Sequence, residues 1–478
     1  MQNGDLDIPL CVDLDGTLVV TDTLMEAVCS FIKADPCKAP LLLVWYFKGK
    51  ARLKEELAQR VDIDPVTLPY NQEVLDFLSA ERAKGRKLVL STATNISVAK
   101  KIADHLNIFS EVIASTGNLN LKGESKAKIL GDKFGVGGFD YIGDACCDVP
   151  IWKIARSALV VSSSKGFIDE VKAQVNVTQV LAAKKITFKT FLKMIRLHQW
   201  LKNLLLFIPM LAAHLVFDIS VLLKTSYAFF VFCICCSGVY IINDILDLNS
   251  DRKHKEKCNR PFASGEVPVA YGMFLGPLLL ISSLLLALPL STPFIAVLVL
   301  YLITTFLYSV RLKQEVVIDI IVLASLYALR IFAGGCAGGV FVSPWLMAFA
   351  MFMFLSLACT KRFSELYNMD KTELIAGRGY RSSDIEAVSQ FGIASGFISV
   401  LVLALYINAN NQQQLYERPW LIWLLCPAIL YWIARVWILT HRGEMNQDPI
   451  IFAMYDKISY FIAIFSVVIL FLAGWTGG

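Results

Sequence analysis

The sequence predicts an α/β domain followed by an all-α, polytopic membrane domain in a single chain of 478 residues. Three observations predict it. Up to about Lys185, short apolar runs alternate with charged stretches at strand and helix spacings. From Leu204 onward, apolar runs long enough to cross a bilayer follow one another. The composition is 56% hydrophobic with a mean hydropathy of +0.57, too apolar for a soluble protein of this length. A chain this long exceeds one core. The expected division is an α/β domain over 1–182, a basic amphipathic linker over 183–203 and a membrane domain over 204–478.

In the first domain a buried apolar strand ends on Asp13, with Asp15 two residues on and Gly16-Thr17 turning the chain. A second strand starting near Lys87 ends in the hydroxyls of Ser91 and Thr92. Lys126 follows, and a further strand through Tyr141 and Ile142 ends on Asp144, with Asp148 close behind. These side chains gather at the open carboxyl edge of a parallel sheet, where α/β folds bind ligands. Helical sequence from Leu24 to Leu78 reads as a cap over that edge, spanning about 22–80. Trp45 and its apolar neighbours read as cap core.

The linker places Ile186, Phe188, Phe191, Leu192 and Ile195 towards one side of a helix, with Lys185, Lys189, Lys193 and Arg196 filling the rest. That pattern suits a helix lying in the membrane interface; a plain basic linker is the alternative. The acidic start has no basic region followed by an apolar one, so a cleavable signal peptide is not expected. Several of the 12 cysteines lie in apolar runs (Cys233, Cys235, Cys236, Cys359, Cys426), where a thiol acts as a small hydrophobe. Neither a disulfide framework nor a zinc site is indicated. The net charge of +5 is only mildly informative as a total, its placement mattering more, and nucleic acid is not expected as a partner.

About nine spans are expected, near Leu204–Leu223, Tyr227–Leu246, Tyr271–Pro289, Pro293–Ser309, Val316–Gly334, Pro344–Thr360, Val388–Ile407, Trp420–Leu439 and Ile458–Trp475. Basic residues set their orientation. One set of loops carries Arg252, Lys253, Lys255, Lys257 and Arg260, then Arg311 and Lys313, then Lys361, Lys371, Arg378 and Arg381, then Arg442. The opposite loops are nearly uncharged. The expectation is a multi-pass protein of the cell (cytoplasmic) membrane, with the N-terminal domain cytosolic and the C-terminus on the other side.

The second span runs into a polar end carrying Asn243, Asp244, Asp247 and Asp251. On a continuous helix the three aspartates, at i, i+3 and i+7, share one face. Three carboxylates so close repel unless cations neutralise them, and hard oxygen ligands beside a phosphate site favour Mg²⁺. An ordinary acidic helix end is the alternative, disfavoured because ionisable groups at membrane depth are expensive. Glu315 and Asp319 repeat the theme at i, i+4, with Arg330 about three turns on and a buried Asp–Arg pair as the alternative. Lys361 and Arg362 with Glu365, then Arg378, Tyr380 and Arg381, supply a basic group suited to a polyanion.

The Asn-Asp-x-x-Asp-x-x-x-Asp motif, the span count and the second acidic motif resemble the UbiA superfamily of intramembrane prenyltransferases, over roughly 196–478. The resemblance is nearest to the branch of decaprenyl-phosphate phosphoribosyltransferases. Gln199, Trp200, Lys202 and Asn203 match its entry motif; Lys361, Arg362 and Glu365 match a loop motif; Arg378, Gly379 and Tyr380 match an Arg-Gly-Tyr. Glu315 stands where the common second motif has Asp. The resemblance implies that Asn243, Asp244, Asp247, Asp251, Glu315 and Asp319 hold Mg²⁺. It also implies that Lys202, Arg260, Lys313, Arg330, Lys361, Arg362, Arg378 and Tyr380 hold phosphate.

The four stations of the first domain resemble the motifs of the haloacid dehalogenase (HAD) phosphohydrolases, over roughly 8–170. The resemblance implies a Rossmann-like α/β fold with a helical cap. It makes Asp13 the nucleophile and a metal ligand, Asp15 the acid and base, Thr92 and Lys126 the phosphoryl holders, and Asp144 and Asp148 the Mg²⁺ anchors.

The resulting expectation is a bifunctional membrane enzyme. One half transfers 5-phosphoribose from phosphoribosyl diphosphate to a polyprenyl phosphate; the HAD half removes the 5-phosphate of the product. The alternative is a prenyltransferase moving a prenyl group from a prenyl diphosphate to an aromatic or other acceptor, with a phosphatase of unrelated substrate. A non-catalytic lipid-binding scaffold gives no reason for carboxylates at membrane depth.

Overall fold

A computed structural model describes residues 8–117, 119–254, 256–367, 378–408, 416, 418–445 and 448–474. Lys255 and Lys371, counted above among the basic loop residues, lie outside the described residues. The chain forms two compact units: 1–195 with 240–277, and 196–239 with 278–478.

In the first unit six strands form one parallel sheet: β1 Leu10–Val12, β2 Leu88–Asn95, β3 Glu111–Ser115, β4 Asp140–Gly143, β5 Ser157–Val161 and β6 Val177–Leu181, in the order β3-β2-β1-β4-β5-β6. Leu10 pairs with Leu88 on one side and Asp140 on the other. The strand order reverses between β1 and β4, which makes their carboxyl ends the switch-point crevice of a doubly wound sheet. Both faces are covered, so the strands are apolar without alternation. Leu10, Val12, Leu90 and Ile142 pack into one layer, while Cys11, Val89, Tyr141 and Val160 pack into the other.

Helices α1 Thr23–Ala34, α2 Pro40–Phe47, α3 Lys50–Arg60 and α4 Gln72–Ala83 lie between β1 and β2. The Asp22 carboxylate starts α1 by accepting from the N–H groups of Leu24 and Met25. Of the apolar α2, only Trp45 is buried as core, edge-on to Phe31 and under the Arg60 guanidinium. Leu41, Leu43, Val44, Tyr46 and Phe47 are exposed, which corrects the reading of Trp45's neighbours as cap core. α5 Ile96–Leu106, α6 Glu124–Phe134, α7 Val149–Ile154 and α8 Lys165–Lys172 complete the α/β layers, and α9 Phe188–Met194 follows. On α9 the buried residues are Thr190 and Met194, while Phe188 and Phe191 stay exposed beside Lys189 and Lys193.

The remaining helices are α10 Ile208–Ala212, α11 Ile219–Leu246, α12 Leu248–Lys253, α13 Val269–Ala287, α14 Thr292–Val310, α15 Ile318–Gly338, α16 Pro344–Tyr367, α17 Ile385–Asn408, α18 Leu425–His441, α19 Pro449–Tyr455 and α20 Lys457–Gly474. Among the described residues, eight helical segments are long and apolar enough to cross a membrane. The expected first span, Leu204–Leu223, is not one of them. It is divided among a 3₁₀ segment, Leu197–Phe207, the short α10 and the start of α11. The break has local causes. His214 adopts a left-handed φ of 56°, and the Asp218 carboxylate caps a new helix by accepting from Ser220 and Val221. Within the second unit a Cβ on Gly334 would strike the backbone of Leu206, so only glycine lets the 3₁₀ segment lie against α15.

Candidate active sites

The crevice at β1 and β4 collects the first set of side chains. Asp13 follows β1, and Lys126 Nζ lies 2.9 Å from its Oδ1. The same ammonium donates to the Tyr141 hydroxyl at 2.8 Å, which donates to Asp148 Oδ1 at 3.1 Å. Asp148 also accepts from the Ala145 N–H, and Asp144 accepts from the Thr17 hydroxyl at 2.9 Å. Gly16, at a φ of 79°, lets the loop pass this close: a Cβ there would meet the Asp144 carboxylate. Asp15 accepts from the Thr23 N–H at 2.8 Å and the Thr94 hydroxyl at 2.5 Å. Thr92 is fully buried, its hydroxyl oxygen taking the Thr94 N–H.

Burial raises three of these carboxylates together. Burial pushes Asp15 up to about 6, which suits a proton donor near neutral pH. Burial, then the charges of Asp13 and Asp148, pushes Asp144 up to about 7; burial and Asp13 push Asp148 up to about 6. Oxygens of Asp13, Asp144 and Asp148 converge within 4.8 Å of one another. Hard carboxylates that resist sharing negative charge fit a divalent cation, which removes the repulsion. Burial works against the Lys126 ammonium, but Asp13 and Asp148 outweigh it and raise its pKa.

Sequence reasoning missed three neighbours here. Thr17 and Thr94 orient the two acids. Lys54 of α3 reaches Asn120 Oδ1 at 3.0 Å and the Ala93 carbonyl. Its spacing in a charged helix carried no signal of that reach.

The first unit also contains the first acidic motif. α11 ends at Leu246 and α12 begins at Leu248, so the three aspartates do not sit on one uninterrupted helix. Arg260 bridges Asp244 at 3.1 Å and Asp251 at 2.5 Å. Asp247 pairs instead with Lys33 of α1 at 2.9 Å. Asn243 remains on the path, its carbonyl accepting from the Asp247 N–H. Arg252 grips Glu26 of α1 with both terminal nitrogens, at 2.9 and 2.6 Å.

In the second unit Asp319 is fully buried and surrounded by cations. Arg362 Nε lies 2.8 Å from one oxygen; Arg378 and the Tyr308 hydroxyl lie 2.9 and 2.7 Å from the other. Arg362 and Arg378 also contact Glu365. Among the described residues, Arg362 Nη2 is buried without a hydrogen-bond partner. Tyr380 accepts the Val317 N–H at 3.0 Å. Val317 holds a φ of 69°, a costly value for a β-branched residue. Glu315 is exposed, and Lys313 is half-buried. Arg330 does not pair with Asp319; it donates to Asn203 Oδ1, the Tyr301 hydroxyl and the Leu326 carbonyl. Lys202 and Lys361 converge on Asp448 at 2.6 and 3.2 Å, an aspartate the motifs did not point to.

Residues 204–475 match the UbiA prenyltransferase family. The chain belongs to that family. It is 36% identical over 462 residues to the uncharacterized protein y4nM of Sinorhizobium fredii, covering 96% of this chain and 89% of that one. It is 36% identical over 279 residues to the decaprenyl-phosphate phosphoribosyltransferase of Mycobacterium tuberculosis, covering 57% and 90%. It is 33% identical over 278 residues to the nodulation protein NoeC of Azorhizobium caulinodans, again covering 57% and 90%. The chain is thus an enzyme with two parts: a multi-pass UbiA-family transferase half, and an α/β half whose parallel sheet carries an acidic crevice.

Proposed function

We propose that this is a bifunctional membrane enzyme of polyprenyl-phosphate sugar synthesis. The UbiA-family half transfers 5-phosphoribose from phosphoribosyl diphosphate to a polyprenyl phosphate and releases diphosphate. The HAD-type half then hydrolyses the 5-phosphate, giving the ribosyl lipid and inorganic phosphate. One observation carries the reading: a complete HAD constellation shares a compact unit with the first acidic motif, joined through Arg252 and Glu26. The identity to a decaprenyl-phosphate phosphoribosyltransferase supports the donor. So do Lys361, Arg362 and Arg378, a group rich enough in positive charge for a donor with an additional phosphate.

In the HAD half, Asp13 attacks phosphorus while Lys126 holds its other oxygen and screens the incoming phosphoryl charge. Asp15 protonates the departing ribose oxygen, then takes a proton from the water that cleaves the aspartyl phosphate. Asp13, Asp144 and Asp148 would hold Mg²⁺ here. In the transferase half Asn243, Asp244, Asp247 and Asp251 would hold it, with Glu315 and Asp319 as the second motif. When bound, the ion offsets phosphate charge at each site. Arg260 in the first unit, and Lys202, Lys313, Arg330 and Tyr380 in the second, are the further residues proposed to hold substrate phosphate. The charged loops, and with them the HAD half, face the cytosol in this reading.

The family's own description favours a second reading, in which a prenyl group passes from a prenyl diphosphate to an aromatic or other acceptor. Incubating membranes with labelled phosphoribosyl diphosphate and polyprenyl phosphate separates the two. Label in the extracted lipid supports the phosphoribosyl transfer; label confined to the aqueous phase, with activity on a prenyl diphosphate, overturns it.

A further inference from the structure

Helix α2 is apolar almost throughout, yet the fold buries only one of its side chains well. Trp45, 8% exposed, anchors the helix against Phe31 and Arg60. Leu43 and Phe47 are 62% and 83% exposed, and Leu41, Val44 and Tyr46 are exposed with them. At 3.6 residues per turn, these five positions cover an arc of roughly 220°. That is about twice the apolar stripe with which a helix meets a protein neighbour. Directly after it come Lys48 and Lys50, both exposed.

We infer that α2 is a membrane-docking element, inserting Leu43, Val44, Tyr46 and Phe47 at the headgroup–acyl boundary of an anionic bilayer. Two features favour a bilayer over a second copy of the chain. Acyl chains can cover a wide apolar arc, whereas one helical helix-face contact cannot. Five side chains of one eight-residue helix also fall short of the roughly 800 Å² per partner of a stable interface. Lys48 and Lys50 at its end match anionic headgroups. Trp45 ties the helix to the fold through Phe31 and Arg60. The consequence is that the cap of the HAD-type half is itself held at the lipid surface. The inference rests on exposure, shape and charge, and stands or falls independently of which lipid is the substrate.

The test uses the full chain in proteoliposomes of phosphatidylcholine and phosphatidylglycerol, with photoreactive p-benzoylphenylalanine in place of Phe47. Val136, 80% exposed in the same unit, serves as the control position. After irradiation, lipid adducts are quantified by mass spectrometry. The expected result is an adduct yield at position 47 several-fold above that at 136, falling when phosphatidylglycerol is omitted. Equal yields at the two positions, a yield at 47 indifferent to phosphatidylglycerol, or cross-linking of 47 to a second copy of the chain would overturn the inference.

Discussion

Arg252 and Glu26, 226 residues apart, meet in a two-pronged ion pair whose side chains are each only 5% exposed. The pair joins α1, the first helix after β1, to α12, which carries the last aspartate of the first acidic motif. Lys33–Asp247 and Lys253–Asp64, at 2.9 and 3.2 Å, repeat the link with less burial. The α/β domain and the acidic motif therefore share a folded unit rather than merely a chain.

Removing one partner of the buried pair strands a charge. Glu26→Ala or Arg252→Ala is expected to destabilise the first unit by about 3–5 kcal/mol. Replacing both by leucine should recover part of that loss, since no charge is left unpaired. Thermal unfolding of the full chain in detergent measures this; single variants as stable as wild type would refute it.

With Asp13 as the proposed nucleophile of the crevice at β1 and β4, its amide variant is the direct test. Asp13→Asn should lower phosphate release by at least about 10³-fold. Lipid synthesis should continue, with the 5-phosphorylated lipid accumulating in place of the dephosphorylated form. An unchanged ratio of the two lipids would overturn the proposed coupling of the two halves.

The transferase half should depend on its acidic motif and on a divalent cation. Asp244→Ala and Asp247→Ala are each expected to abolish transfer while leaving membrane insertion intact, and EDTA should do the same reversibly. Full transfer by either variant, or in EDTA, would exclude the metal role. Asp244 is the sharper case, because its wild-type partner Arg260 keeps Asp251 when Asp244 is removed.

For the donor, Arg378 is the most informative cation. Both Arg362 and Arg378 pair with Asp319, but Arg362 is fully buried, so its loss would confound binding with folding more severely. Arg378→Gln should raise the KM for phosphoribosyl diphosphate roughly tenfold to a hundredfold, the loss of about 1.5–3 kcal/mol of charge-assisted phosphate contact. The acceptor KM should change far less. An unaltered donor KM points to the prenyl-diphosphate reading.

The sequence by itself determined the two classes of domain, most of the spans and the strand-end stations of the crevice. Those features have short-range signatures: the length of an apolar run, the residues that end a strand, a glycine where the chain must turn. Asp13, Lys126, Asp144 and Asp148 were legible because each follows or precedes an element whose direction the local pattern sets. Tertiary structure decided which partner each charge has. Asp319 meets Arg362 and Arg378 rather than Arg330, Asp247 leaves its sister aspartates for Lys33, and Asp448 gathers Lys202 with Lys361. It also broke the first expected span, whose apolar run says nothing of a left-handed turn at His214. Hydrophobic period is a property of neighbours along the chain. Ion pairing in a buried site is decided by whichever opposite charge the fold brings within about 4 Å, and the strength of that choice comes from excluding water once the fold is complete.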